Sequence, residues 1–178
     1  LATYLMDNGW SLKKLHKQIM LSEAYQMSSR GQDNALEIDP ENNFFWRFDM
    51  RRLAAEEIRD SILNLTGKLN LQMRGPSIYT PVPEVILATA SRPHAAWGHS
   101  PEDQQNRRSV YVYIKRSLHE PLLKTFDMAD TDSACSVRFT TTVPTQALTM
   151  LNSEFLNDQA EAFANRIEAD AKTTREQI

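Results

Sequence analysis

The first strong pattern along the chain is a set of apolar positions with helical spacing. Leu12, Leu15 and Ile19 recur at intervals of three and four residues behind Ser11. Residues 11–23 therefore predict an amphipathic helix that the Ser11 side chain caps. The opposite side of this helix carries Lys13, Lys14 and Lys17. Such a run is typical of a solvated face, and an anion-binding patch is the alternative.

A second helix is predicted over residues 49–69. Its core-facing stripe consists of Ile58, Ile62, Leu65 and Leu69. These positions lie close together at about 100° of rotation per residue. Leu53 and Leu63 fall on the opposite side. They bracket Glu56 and Asp60, so the helix is expected to pack on two faces.

Prolines mark the middle of the chain as irregular. Residues 75–106 hold five of the eight prolines, together with Gly75 and Gly98. Because proline lacks a backbone N–H and fixes φ, neither a long helix nor a central strand runs through most of this segment. We expect an ordered but irregular excursion, and long excursions of this kind are usually functional or mobile.

A period-two pattern follows this excursion. Residues 107–117 alternate β-branched with aromatic or polar side chains from Val110 to Lys115, which is typical of a β-strand. A lone strand leaves its backbone groups unpaired, so residues 137–142 are its predicted partner.

Two further helices are predicted towards the end of the chain, from Pro144 to Leu151 and from Ser153 to Ile167. The predicted fold class is therefore mainly α with a small antiparallel β element (α+β). The irregular Pro-rich excursion lies between the helical part and the strands.

Length and composition are those of an ordinary globular protein. The chain has 178 residues, of which 41% are hydrophobic and 24% charged, so a single domain over residues 1–178 is expected. The net charge of −3 leaves no basic footprint for nucleic acid. The longest apolar stretches, such as residues 85–88, are too short to span a membrane. Because the chain starts at Leu1 without a signal pattern, we expect a fragment of a larger multidomain protein.

Cofactor ligands are scarce in the sequence. Cys135 is the only cysteine, so the chain has no internal disulfide and no CxxCH haem attachment motif. Its side chain is expected to be a small buried hydrophobe. Asp127, Asp130 and Asp132 offer oxygen ligands, but the glycine and distal glutamate of an EF-hand are not reproduced, which favours a polar turn. No cofactor and no metal site is expected.

Several sequence blocks resemble a known family. They are NGWSLKKLHKQIMLSEAY, DPEN at residues 39–42, RRLAAEEIRDSIL followed by GKL, GPS at 75–77, RRSVYVYIKRS, FD at 126–127 and TTVPTQALTMLNSEF. In this order, over nearly the whole chain, they resemble the bacterial domain of unknown function fifteen-fifty-three. That domain is the C-terminal module of PSD1-type, or planctomycete cytochrome c domain-containing, proteins.

The resemblance implies the kind of larger protein in which the chain occurs, but it implies no reaction. Family members are large exported proteins with another domain of unknown function upstream, and often with a cytochrome c or sugar-binding-like module. A periplasmic or extracellular location is therefore implied. Other domains of the parent chain and polysaccharide are the implied partners. No catalytic residue is established for this domain, so none is transferred.

Charged residues cluster at the start of the second predicted helix. Arg52 and Glu56 are spaced as an i,i+4 pair, and Glu56 lies one turn before Asp60. One interpretation is a partly buried ionic network in which an arginine from another element pairs with Glu56. The arginines considered for it are Arg107, Arg108 and Arg138. The other interpretation is acid/base or hydrolytic chemistry. Its candidate catalytic residues are Glu56, Asp60, Arg52 and Arg108.

Aromatic and histidine side chains are the candidate binding residues. His94 and His99 flank Trp97 in the Pro-rich segment. An aromatic platform beside polar groups suits a sugar ring, whereas the nearby proline and glycine favour a plain surface loop. Tyr111 and Tyr113 of the predicted strand either line a groove or pack on the sheet.

Three hypotheses for the function remain open. The first is a structural or interaction module of a larger extracytoplasmic protein, associated with a cytochrome c or polysaccharide-processing assembly. The second is a glycan-handling or hydrolase-like enzyme that uses Glu56 and Asp60 with arginines from residues 107–116. The third is an anion or glycan binder that uses the lysine face of residues 13–17 and the Trp97 loop. We favour the first, because no nucleophile or metal signature accompanies the carboxylates.

Overall fold

The computed structural model describes residues 1–171, and the α-helices in that range are joined by turns and irregular segments. The chain divides into two compact units, Leu1–Arg52 and a second unit that begins at Leu53. Within residues 1–171, no helix is both long and apolar enough to cross a bilayer.

The first unit is built from four helices. They are α1 (Ala2–Asp7), α2 (Leu12–Met20), α3 (Glu23–Gln26) and α4 (Asp33–Ile38). The helix predicted over residues 11–23 is confirmed as α2, in which the Ser11 side chain accepts a hydrogen bond from the Lys14 N–H at 3.5 Å. The three lysines of the outer face are exposed.

The DPEN motif forms an ordered turn after α4. The carboxylate of Asp39, which is 6% exposed, accepts the backbone N–H groups of Asn43 and Phe44 at 3.0 and 2.8 Å. Asn42 has a φ of +58°, a conformation that asparagine tolerates better than most residues. Its side chain donates to the Arg47 carbonyl at 3.0 Å and accepts the Arg47 N–H at 3.2 Å. The motif therefore has a structural role in this unit.

The second unit contains six more helices within the described residues. They are α5 (Ala55–Leu65), α6 (Glu84–Leu87), α7 (Glu102–Gln105), α8 (Pro121–Thr125), α9 (Pro144–Asn152) and α10 (Glu154–Asp170). Single turns of 3-10 helix lie at Pro93–Ala95 and Ser109–Tyr111. The helices predicted from Pro144 and after Ser153 are confirmed as α9 and α10.

The core of the second unit lies where α5, α8 and α10 pack around two extended residues. Its buried side chains are Ala55, Ile78, Val112, Leu122, Leu123, Phe126 and Leu156. Burial of apolar surface of this kind stabilises a fold by roughly 25 cal/mol per Å². The core therefore joins residues that lie far apart in the sequence.

Helix α5 is shorter than predicted and faces the core differently. It begins at Ala55 because the Glu57 carboxylate accepts the Ala54 N–H at 2.8 Å, which satisfies a donor at the helix start. Leu63 is completely buried, whereas Leu65, a predicted core residue, is 54% exposed. Ile58 and Ile62 of the predicted stripe are partly buried and pack against the core, but the buried face also includes Arg59, a charged residue that is only 2% exposed.

The prediction of a small antiparallel β element is wrong. Residues 1–171 form no sheet and contain only isolated bridges. Val112 pairs with Ile78 alone, in a parallel bridge. Two backbone hydrogen bonds of 2.8 Å hold it, from the Ile78 N–H to the Tyr111 carbonyl and from the Tyr113 N–H to the Ile78 carbonyl.

The pairing stops after one residue because of the chain around Ile78. Pro76 and Pro81 lack an N–H and cannot extend the ladder. The Tyr79 N–H donates to the Ser100 hydroxyl at 2.9 Å instead of to a strand. The alternating side-chain pattern of residues 107–117 was therefore not enough to form a sheet, because a strand also needs a partner with free backbone donors.

The predicted partner segment, residues 137–142, is held by side chains. The N–H and hydroxyl of Thr141 donate to the Asp127 carboxylate at 2.8 and 3.0 Å. Arg138 donates to Glu56 at 2.6 Å. Cys135, just before this segment, is exposed, so the expectation that it is buried is wrong.

Candidate functional site

A buried arginine organises the centre of the second unit. Nη1 of Arg59 donates to the Arg107 carbonyl at 3.0 Å and to the Ser109 hydroxyl at 3.2 Å. Nη2 of Arg59 donates to the Gln105 carbonyl at 2.7 Å. These three acceptors lie in residues 105–109, so Arg59 holds that segment against α5.

Glu120 is a buried acid in the same region. It is the N-cap of α8 and is 8% exposed, and its Oε2 accepts the Leu123 N–H at 2.6 Å. Burial raises the pKa of the Glu120 carboxyl, and the hydrogen bond from Leu123 and the charge of Arg59 oppose this shift only in part. Burial likewise lowers the pKa of the Arg59 guanidinium against the opposing charge of Glu120.

Arg59 and Glu120 line an open cavity of about 820 Å³. This volume lies in the range of ligand pockets in proteins, roughly 300 to 1,000 Å³. Thr80 also lines the cavity and is 4% exposed, and its Oγ1 is buried without a hydrogen-bond partner. Because this oxygen is almost inaccessible to solvent, it does not face the open cavity.

Acidic side chains dominate the charge of the cavity wall. Besides Glu120, the carboxylates that line it are Glu84, Glu102, Glu154 and Asp158. Lys68 and Arg59 are its cationic residues. Phe155 adds an aromatic face, and its ring centroid lies 5.6 Å from the Arg59 guanidinium carbon. The cavity therefore combines amide, hydroxyl and carboxylate groups with apolar surface.

A second buried arginine, Arg107, supports one end of the site. It is 1% exposed. Its guanidinium donates to the carbonyls of Gln72, Arg74 and Pro76, with distances of 3.2 Å to Gln72 and to Pro76. It also lies 3.9 Å from the ring centroid of Tyr111. The loop of residues 72–76 is thus wrapped around one side chain.

Tyr111, a predicted binding residue, belongs to this arrangement. Its hydroxyl accepts the Arg74 N–H at 2.7 Å. Gly75 has a φ of +89°, a backbone conformation that glycine adopts without strain. This turn brings the carbonyls on either side of Gly75 towards Arg107. In the structure Tyr111 therefore supports the loop.

The structure places Glu56 and Asp60, the predicted carboxylate pair, outside the lining of the cavity. Burial raises the pKa of Glu56, but the hydrogen bond from Arg138 and its charge outweigh this, so the pKa is lowered overall. Asp60 accepts the Ser109 N–H at 2.7 Å and lies 3.9 Å from Arg108. Each carboxylate therefore has its own partner.

Of the other predicted catalytic residues, Arg108 is exposed and approaches Asp60 as described, and Arg52 is partly buried. Neither lines the cavity.

Replacement of Glu56 by glutamine is expected to lower the free energy of unfolding by about 1 kcal/mol or less. The Glu56 and Arg138 side chains are 30% and 41% exposed, so water screens their interaction. Urea unfolding of the full chain measures the effect, and Glu168→Gln on α10 is an exposed control. A loss above about 2 kcal/mol would contradict this expectation and indicate a buried network.

The structure places Trp97 in an aromatic cluster. Its indole N–H donates to the Thr80 carbonyl at 2.8 Å, and its ring centroid lies 5.6 Å from Tyr79 and 6.1 Å from Tyr113. Tyr79 and Tyr113 lie 4.8 Å apart. An added Cβ at Gly98 would approach the Tyr79 ring to 2.7 Å, so glycine permits this packing. The indole therefore has ring neighbours on more than one side.

Of the two histidines that flank Trp97, His99 is exposed and does not line the cavity. The His94 side chain lies outside the described part of the chain. The predicted group of His94, Trp97 and His99 is therefore not brought together at the cavity.

The principal cavity residues, Arg59, Thr80 and Glu120, were absent from the predicted site. A local signal existed for Glu120, because an acid before Pro121 and two leucines matches a helix N-cap with proline in the first turn. Arg59 lies four residues after Ala55 and four before Leu63, both buried. Those spacings place Arg59 on the core face of α5, but a charged side chain is normally expected to face solvent.

The raised pKa of Glu120 predicts a particular dependence of stability on pH. The folded state holds the proton more tightly than the unfolded state, so the wild type loses stability as pH rises from about 4.3, the ordinary glutamate pKa. Glu120→Gln has no such loss, and its amide oxygen can still accept the Leu123 N–H. The variant is therefore expected to gain stability relative to the wild type as pH rises.

Urea unfolding at about pH 4 and about pH 7.5 measures this difference. Glu161→Gln, at an exposed position of α10, is the control and is expected to show no comparable trend. An identical difference between Glu120→Gln and wild type at both pH values would contradict the raised pKa.

Within residues 1–171, no three His, Cys, Asp or Glu side chains are grouped so that they could hold a metal ion. The cavity carboxylates instead lie on several elements. Glu84 is on α6, Glu102 on α7, Glu120 at the start of α8, and Glu154 and Asp158 on α10. They surround a space large enough for an organic ligand.

Comparison with known proteins identifies a family. A sequence model of PSD1, described as a protein of unknown function (DUF1553), matches residues 1–178. No curated protein matches the chain, and no solved structure matches it. The family match agrees with the resemblance of the sequence blocks. The chain belongs to the PSD1 family, whose domain is one of unknown function.

Proposed function

We propose that this domain is a carbohydrate-binding module of a larger extracytoplasmic protein that takes part in polysaccharide processing. The observation that carries the proposal is the cavity of about 820 Å³, whose wall includes the buried acid Glu120 together with carboxylate, amide and hydroxyl side chains. The site is proposed to bind an oligosaccharide segment of roughly two to three rings, a size that suits a pocket of this class.

The chemistry of the wall supports a sugar ligand. Sugar hydroxyls both donate and accept hydrogen bonds, so they suit a wall that mixes carboxylates with amides and hydroxyls. Amide side chains at the wall are Gln105, Asn106, Asn152 and Gln159. Phe155, Pro81 and Leu148 offer apolar surface for the C–H faces of a ring.

The setting within a larger protein rests on the family resemblance. Domains of this kind lie beside other modules in exported proteins, so docking to neighbouring domains is part of the proposal. Many apolar side chains of the second unit lie open to solvent, including Val137 at 75% and Phe139 at 87% exposure. Exposed apolar side chains of this size are suited to contacts with another protein surface.

The proposed ligand site is tested by calorimetric titration of the full chain with N,N′-diacetylchitobiose, cellotetraose and xylotetraose. Leu148→Arg introduces a long side chain into the cavity from α9, where Leu148 is 56% exposed. Leu151→Arg is the matched control, because Leu151 is 72% exposed on the same helix and does not line the cavity. At least one sugar is expected to bind the wild type and Leu151→Arg, and to bind Leu148→Arg at least about tenfold more weakly.

Absence of heat with all three sugars, and with chitobiose, the free-amine form of the first, at up to about 10 mM would overturn the proposal, because a dissociation constant above about 10 mM leaves less than about 3 kcal/mol of binding free energy. Equal affinity of the wild type and Leu148→Arg would also overturn it, since the sugar would then bind outside the cavity.

A second candidate function is hydrolysis at the same cavity, with Glu120 as the acid. A buried carboxylic acid whose pKa is raised by burial, as that of Glu120 is, is suited to protonate a glycosidic oxygen. This candidate uses Glu120 in place of Glu56 and Asp60, which have partners outside the cavity. Release of reducing ends from the same sugars, abolished by Glu120→Gln, would favour the enzyme, and binding without release favours the module.

A further inference from the structure

We propose that the cavity prefers a sugar that carries a free amino group, so that a cationic amino sugar binds more tightly than a neutral or anionic one. This inference rests on the proposed carbohydrate-binding function. It adds the charge of the ligand and the residues that recognise it.

The cavity wall carries more acidic than basic side chains. Four carboxylates line the cavity besides the buried Glu120, namely Glu84, Glu102, Glu154 and Asp158. A cavity lined mainly by one sign of charge concentrates ligands of the opposite sign. Such a wall repels uronic acids and sulfated sugars, and it attracts an ammonium group.

The positions of these carboxylates are a further argument. Glu84, Glu102 and Glu154 lie on α6, α7 and α10, three different helices that line the cavity. A ligand with several ammonium groups spaced along a chain of rings can pair with carboxylates arranged in this way. Glu154 and Asp158 are spaced one helical turn apart on α10, so they lie on one face of that helix.

The two cationic residues of the wall, Arg59 and Lys68, also disfavour an anionic ligand. Arg59 is 2% exposed and directs its guanidinium towards backbone carbonyls and the Ser109 hydroxyl. Its donors are therefore committed to the protein, and it does not offer an open site for a ligand carboxylate or sulfate. Lys68 is left as the other cation of the wall, and it faces an excess of carboxylates.

The test compares two disaccharides that share one skeleton. Chitobiose carries two free amines, and N,N′-diacetylchitobiose is its neutral acetylated form. Titration of the full chain at about pH 6 keeps the amines protonated. Chitobiose is expected to bind about tenfold more tightly than the acetylated form, with an affinity that falls as salt is added.

Substitutions on α10 test the carboxylates. Glu154→Gln with Asp158→Asn removes two charges from the cavity wall and is expected to weaken chitobiose about fivefold to tenfold while leaving N,N′-diacetylchitobiose nearly unchanged. Glu161→Gln with Glu168→Gln removes two charges from exposed positions of the same helix that do not line the cavity. That control is expected to leave both affinities unchanged.

The outcomes separate this inference from the proposed function. Equal binding of the two disaccharides, or tighter binding of the acetylated one, would overturn charge selection and keep the carbohydrate site. An equal loss in the α10 variant and its control would overturn the assignment to Glu154 and Asp158. Binding of neither disaccharide or tetrasaccharide would overturn both. Equal binding of 1,4-diaminobutane and chitobiose would overturn the carbohydrate function and keep charge selection.

Discussion

Replacement of Arg107 by methionine is expected to lower the free energy of unfolding of the second unit by about 3 kcal/mol or more. Arg107 is 1% exposed, and its guanidinium satisfies the carbonyls of Gln72, Arg74 and Pro76. Methionine offers none of these donors, so three carbonyls that bind the guanidinium lose their partner. Arg107 also packs on the Tyr111 ring, and methionine keeps only part of that contact.

Urea unfolding followed by Trp97 fluorescence measures this effect. Trp97 belongs to the second unit, so Trp10→Phe and Trp46→Phe in all variants confine the signal to it. Arg107→Lys keeps the charge but not the planar fork, and is expected to recover less than half of the loss. Arg108→Met is the matched control, because the Arg108 side chain is 46% exposed. A loss below about 1 kcal/mol for Arg107→Met would contradict the structural role.

Replacement of Arg59 by methionine is expected to cost about 3 to 5 kcal/mol. The substitution removes the cation whose charge opposes the burial of Glu120, and it removes the donor for the Gln105 carbonyl, the Arg107 carbonyl and the Ser109 hydroxyl. The pKa of Glu120 is expected to rise further in this variant, because only the burial and the hydrogen bond from Leu123 remain as its main influences.

A double-mutant cycle with Glu120→Gln separates the two contributions. Glutamine carries no charge, so it does not need Arg59, and the double variant is expected to be more stable than the sum of the single effects by about 1 to 2 kcal/mol. The single Arg59→Met variant and the double variant both lose the three hydrogen bonds of Arg59, so this part of the stability loss remains in the double variant. An additive cycle would show that the two side chains are not coupled, and would contradict an electrostatic role for Arg59 towards Glu120.

These experiments also bear on the proposed site. Arg59 and Glu120 are part of the cavity wall, and Arg59 also holds residues 105–109. Variants of the two therefore change stability and binding together. Leu148, Glu154 and Asp158 lie on the outer wall, so their variants report on the ligand with less effect on the fold.

The sequence determined the helices whose pattern is local. Ser11 with Leu12, Leu15 and Ile19 was enough for α2, because a helix cap and an apolar face are properties of consecutive residues. Pro144 likewise identified the start of α9. The family too could be recognised from ordered blocks of residues, and the match over residues 1–178 confirms it.

The tertiary structure decided the rest, because the deciding partners are distant in the chain. The alternation of residues 107–117 predicted a strand, yet prolines on both sides of Ile78 limit the pairing to one bridge. The spacing of Arg59 along α5 allows it to be buried, but the acceptors that its buried guanidinium needs are 46 to 50 residues away and no local pattern reveals them. The candidate site moved from Glu56 and Asp60 to Glu120 for the same reason: burial and shape depend on which elements pack together.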